Sequence, residues 1–133
     1  MLKALAPKAL SVLRIMAGFT FSLHGLQKLS GLFGGMGGKG ATAAFGSLIW
    51  TAGFLEAAGG LLLVLGLFTR PVAFLLCGQM AVAYFRYHSP RGFWPILNGG
   101  ELAVLYCFVF LYLAVAGPGT VSLDRVLRKK SMQ

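Results

Sequence analysis

Residues 52–66 read AGFLEAAGGLLLVLG, an apolar, glycine-rich run interrupted by one carboxylate, Glu56. Extended to residues 45–68, the run spans about 24 residues with that single charge. A helix of that length crosses the ~30 Å hydrocarbon core of a bilayer at ~1.5 Å per residue. An ionisable group near its midpoint costs at least ~2.5 kcal/mol to insert, so it faces a partner or a cavity rather than lipid. The other helices are then expected to form the shell that houses Glu56.

Composition supports this reading. Only 11% of the 133 residues are charged and 57% are hydrophobic, whereas soluble domains run near ~25% charged. Twelve Lys and Arg stand against Glu56, Glu101 and Asp124, a net charge of +9. In a soluble protein that excess points to nucleic acid. Here much of it lies at the ends of apolar runs, where it sets topology and meets anionic headgroups. A nucleic-acid partner is therefore not expected. Cys77 and Cys107 lie inside apolar runs and make no CxxC, which argues against a thioredoxin-type pair or a zinc site. They read as buried, inert thiols, and no metal site is expected.

The predicted fold is an all-α membrane protein, a single four-transmembrane-helix bundle with spans at 9–29, 45–68, 72–88 and 98–116. A signal peptide competes for the first span, but Arg14 interrupts the run and no clear cleavage site follows. Residues 31–40 hold six glycines, too many for a helix, and read as a flexible loop at the mouth of the bundle. Residues 121–130 form a short, basic, partly apolar helix at the surface. Four spans put both termini on one side, which collects Lys3, Lys8, Arg70, Arg125, Arg128, Lys129 and Lys130. The other side has Lys28, Lys39, Arg86 and Arg91. By the positive-inside rule both termini are cytoplasmic.

Counting depth along the spans gives two polar layers. Arg14, Glu56 and Gln79 lie in the membrane interior; His24, Lys28, His88 and Glu101 lie nearer the non-cytoplasmic surface. The first span carries Arg14, Gly18, Phe21, Gly25 and Lys28 on one helical face. The second carries Ala52, Glu56 and Gly60 on one stripe, with Gly53 and Ala57 beside it. Small residues at such spacing let helices approach closely in lipid, so the charges fall on packing faces. Arg14, in the cytoplasmic third, is expected to reach Glu56 as a buried ion pair that sets helix register. Lys28, Arg86 and Arg91 read first as interfacial anchors, and His88 as an interfacial residue. His24, a turn before Lys28, can carry protons beside a carboxylate such as Glu101. The candidate ligand-binding set is His24, Lys28, Glu56, Gln79, His88 and Glu101; no catalytic residue is assigned.

These residues also carry a family likeness. Arg14-x3-Gly18 followed by His24-Gly25-x2-Lys28-Leu29 resembles the first-helix signature of the DoxX family of small bacterial membrane proteins. Gly53-x2-Glu56-x2-Gly59-Gly60-Leu61, then Leu65-Gly66-Leu67 and Thr69-Arg70, resembles its second helix. Asn98-Gly99-Gly100-Glu101, with Gly117-Pro118-Gly119 and Ser122-Leu123-Asp124, resembles its fourth helix and end. His88 matches a less regular histidine after the third. The resemblance implies a four-helix bundle in the bacterial inner membrane. Some members are similar to the membrane subunit of a thiosulfate:quinone oxidoreductase, and others are linked to membrane-associated oxidoreductase complexes. It therefore implies a subunit with no intrinsic cofactor, holding quinone or a similar lipid-soluble molecule. His24, Glu101 and Lys28 would sit at its head, with Glu56 and Arg14 at the floor of the pocket. A soluble oxidoreductase or another membrane subunit would donate electrons, and membrane lipids and a second copy are further partners. The alternative is a non-enzymatic carrier or assembly protein for a small solute, lipid or partner protein. Whether the chain is itself an enzyme stays open.

Overall fold

The computed structural model describes residues 2–132. Its described residues form α1 (Leu2–Ser30), α2 (Leu48–Leu65), α3 (Thr69–Ala83), α4 (Pro95–Asn98), α5 (Glu101–Ala116) and α6 (Leu123–Lys130). A lone antiparallel bridge joins Met36 to Ala41, and no named strand occurs among the described residues. Two compact units result, residues 2–68 with 118–132, and residues 69–117. By length and composition, Lys3–Ser30 and Leu48–Leu65 can each cross a bilayer, and Glu101–Ala116 is a shorter apolar helix.

The helix ends depart from the expected spans for local reasons. The first helix begins at Leu2 rather than at 9, because Lys, Ala and Leu all favour helix whether or not they favour lipid. The second begins at Leu48 rather than 45: Ser47 takes extended backbone and its hydroxyl accepts from the Trp50 N–H at 3.1 Å, an N-cap that sets the start. It ends at Gly66, in the left-handed region at φ 67°. The Leu67 N–H reaches Leu62 O at 3.0 Å and the Gly66 N–H reaches Leu63 O at 3.1 Å, the paired bonds of a Schellman end. The third expected span is α3 from Thr69, prolonged by a π-helical turn at Tyr84–His88. The fourth starts at Glu101 rather than 98, because the short α4 before it stops at Gly99 (φ 70°).

In the first unit α1 and α2 lie antiparallel, in a register set by glycine. A Cβ on Gly18 would stand 2.6 Å from Gly60 O, and one on Gly25 would stand 2.5 Å from Gly53 O. Backbone thus meets backbone at two levels seven residues apart on each helix, the close approach that small residues permit in lipid. The buried stripes follow helical spacing: Ser11, Arg14, Gly18, Phe21 and Gly25 on α1, and Gly53, Glu56, Gly60 and Leu63 on α2. Most exposed positions along the middle of these helices are apolar, among them Val12, Met16, Phe19, Phe54 and Leu61. The glycine-rich segment is ordered by its own backbone. The Gly40 N–H donates to Gly34 O at 2.7 Å, and the Ala43 N–H to Lys28 O at 2.8 Å, which returns the chain to the end of α1.

In the second unit α3 packs with α5, and the thiols of Cys77 and Cys107 stand 3.7 Å apart. Arg70 Nη1 donates to Val115 O at 2.5 Å and to Ala114 O at 3.3 Å, so a cation closes the negative C-terminal end of α5.

Candidate functional site

The ion pair of the first unit is Lys28 with Glu56. Lys28 Nζ donates to Glu56 Oε1 at 2.6 Å and to Oε2 at 2.5 Å. The Glu56 side chain is 4% exposed and that of Lys28 is 27% exposed, so the carboxylate is sealed while the ammonium retains an open side. Helical side chains lean toward the N-terminus of their own helix. On α1 that lean carries Lys28 inward from the helix end, and on the antiparallel α2 it carries Glu56 toward Lys28. Gly53 makes room, since a Cβ there would stand 3.0 Å from Lys28 Cβ. The reading of Lys28 as an outward interfacial anchor is thus corrected.

Arg14 is also corrected: it does not pair with Glu56. Its guanidinium, fully buried, donates to Leu63 O and, at 2.9 Å, to Val64 O, carbonyls in the last turn of α2. It also donates to Pro118 O at 2.9 Å and to Val121 O. A planar fork of five donors suits several carbonyls at once, and the helix end supplies partial negative charge. The antiparallel register places Arg14 against 63–64, about two turns beyond Glu56. Arg14 therefore staples α2 to segment 118–121. Ser11 works beside it: its hydroxyl donates to Pro7 O and accepts from the Val121 N–H, both at 3.1 Å.

The other candidates fall as follows. His24 is half-buried on the face of α1 that carries Lys28, one turn away. Gln79 lies on α3 and is half-buried, and Glu101 is exposed in the first turn of α5. His88 belongs to a loop cluster within the second unit, its Nδ1 3.2 Å from Asn98 O and 3.3 Å from Arg91 Nη2. The centre of that cluster is Asn98, 3% exposed. Its amide donates to Gly92 O at 2.6 Å and to the Tyr84 hydroxyl at 3.3 Å, while its Oδ1 accepts from the Gly100 N–H at 2.8 Å. The Tyr84 hydroxyl in turn donates to Phe93 O. Sequence reasoning singled out neither Asn98 as the closing residue nor Ser11. The one available signal was an Asn between a Pro-bounded loop and Gly-Gly, where a side-chain amide commonly satisfies turn backbone.

Lys28 is the group with spare chemistry. An ammonium has three donors, Glu56 takes two, and among the described residues no acceptor is seen for the third. A bidentate carboxylate holds the ammonium in place, and a half-buried imidazole stands one turn away. This arrangement can offer a hydrogen bond to a carbonyl or anionic oxygen arriving from the apolar phase, with a nearby group able to carry protons.

Comparison with known proteins agrees with a membrane setting. The family model described as DoxX matches residues 9–89. A Haemophilus influenzae protein is 44% identical over 128 residues, covering 93% of this chain and 94% of that one. The Escherichia coli inner membrane protein YqjF is 30% identical over 131 residues, 97% of this chain and 99% of its own length. A Bacillus subtilis protein named "Putative oxidoreductase CatD" is 26% identical over 113 residues, covering 85% and 82%. No solved structure matches.

Proposed function

The chain belongs to the DoxX family of membrane proteins, and from that premise we propose that it is the integral membrane subunit of a quinone-linked oxidoreductase system. In this reading it crosses the bacterial inner membrane four times as a helical bundle with both termini cytoplasmic. Quinone, or a similar lipid-soluble molecule, places a carbonyl oxygen on the third N–H of Lys28. Glu56 orients the ammonium, and His24 exchanges protons with the reduced head. A soluble oxidoreductase or a second membrane subunit supplies the electrons. The observation that carries this reading is the sealed Glu56 carboxylate holding a partly open ammonium. Such a charge pair within an apolar helix pair is costly as mere scaffolding and marks a functional site by default. The name of the Bacillus subtilis relative adds weak support for redox chemistry.

The test is binding of a ubiquinone or menaquinone analogue to purified protein, followed by thermal shift. Lys28→Met and His24→Ala should each weaken binding about tenfold, the loss of one good hydrogen bond. Undiminished binding by Lys28→Met would remove the assignment. A protein that binds no quinone but moves a small solute into liposomes, at a rate lost in Glu56→Gln, would identify a carrier instead.

A further inference from the structure

Over residues 123–129 helix α6 divides around its axis, and only Lys130, its last residue, falls on the apolar side. Leu123, Val126 and Leu127 fall within an arc of about 100° by helical geometry, and they are 41%, 51% and 54% exposed. Arg125, Arg128 and Lys129 fill the opposite arc, all exposed. Two hydrogen bonds tie the start of the helix to the end of α2. The Asp124 N–H donates to Gly66 O at 2.9 Å, and Asp124 Oδ1 accepts from the Phe68 N–H at 2.8 Å. Ser122 caps its start by accepting from the Arg125 N–H at 3.3 Å. Thr120 N lies 3.4 Å from Pro7 O, which brings the first turns of α1, with exposed Lys3 and Lys8, to the root of α6. Asp124, the sole acidic residue of α6, turns one carboxylate oxygen to the Phe68 N–H. A cationic surface with an apolar underside is therefore fastened to the end of a helix long enough to cross a bilayer.

We propose that α6 and the first turns of α1 form a binding site for anionic phospholipid headgroups, with the apolar arc of α6 seated among the acyl chains. Nucleic acid would need the basic arc and leave the apolar one in water; an anionic leaflet uses both. The occupant is lipid rather than an acidic protein because the tether holds the helix at the depth where a spanning helix ends. Arg14, donating to Pro118 O and Val121 O, couples the site to the core of the first unit, so lipid binding also steadies the segment that leads into α6.

Hydrogen exchange on the whole protein in nanodiscs tests this, with phosphatidylcholine alone compared against a mixture containing phosphatidylglycerol. Amides of 123–130 should exchange at least about tenfold more slowly in the anionic discs at low salt, since each basic residue near such a surface strengthens association roughly fivefold. The effect should fade at high salt, and the triple variant Arg125→Gln, Arg128→Gln, Lys129→Gln should lose it. Unchanged exchange within α2 in that variant would show that the first unit still folds. Equal exchange in the two lipid compositions would overturn the proposal, as would an anionic effect that survives the triple variant. Protection that arises only on adding a soluble protein would assign the surface to that partner and overturn it too.

Discussion

Arg14 and Lys28 show how far a buried cation's role depends on its partner. Arg14 was expected to pair with Glu56 and Lys28 to anchor at the interface, yet it is Lys28 that makes the ion pair. Arg14 is used for its shape, because a fork of five donors can serve carbonyls from two segments at once. Arg14→Lys keeps the charge and loses the fork. Lysine has three donors on a flexible stem and cannot reach all four acceptors. With buried carbonyls left unpaired at about 1–3 kcal/mol each, the variant should be destabilised by about 2–4 kcal/mol and amides near 118–122 should lose protection. Thermal unfolding in detergent with hydrogen exchange checks this; an unchanged melting temperature would refute the stapling role. The need to bury these charges was legible in the sequence, since no lipid-facing position tolerates them. Which base meets Glu56 was not, because the answer depends on the antiparallel register and on the lean of both side chains.

Between elements, glycine decides where helices touch. Gly18 and Gly25 of α1 face Gly60 and Gly53 of α2 so closely that an added methyl would overlap backbone atoms. Backbone cannot yield as a flexible side chain can. Gly78 on α3 is the natural control, with nothing within 4 Å of where its Cβ would stand. Gly25→Ala should separate α1 from α2 and lower stability by about 1–3 kcal/mol, the usual cost of overpacking. Gly78→Ala should be neutral or slightly stabilising, by up to about 1 kcal/mol from helix propensity. Comparing the two melting temperatures decides it. This packing stripe was readable from spacing alone. The loop ends were not: the break at Gly99 and the closure around Asn98 depend on hydrogen bonds between residues 84 and 100, which no periodicity encodes.

At the scale of the whole molecule, the two units share a device. Arg14 closes the end of α2 in one, and Arg70 closes the end of α5 in the other. No internal repeat is evident in the residues, so the echo is one of physics, a cation on a helix C-terminus. The proposed topology follows from seven basic residues on the side of the termini against four on the other. A fluorescent reporter fused after Gln133 should therefore glow, and a phosphatase fused there should stay inactive, while a phosphatase inserted in the 31–46 loop should be active. The reverse pattern would invert the orientation.

The sequence by itself determined that this is a helical membrane protein of the DoxX family, and that its buried charges lie on packing faces. The membrane helices and their packing faces follow from apolar length and helical period, which are properties of short stretches, and the family follows from motifs spread along the chain. The tertiary structure alone decided that Lys28 rather than Arg14 holds Glu56, that Arg14 binds the end of α2 and the strand of chain leading to α6, and that Asn98 gathers its loop. Each of these joins residues far apart in the chain, so each waits on how one backbone is set against another.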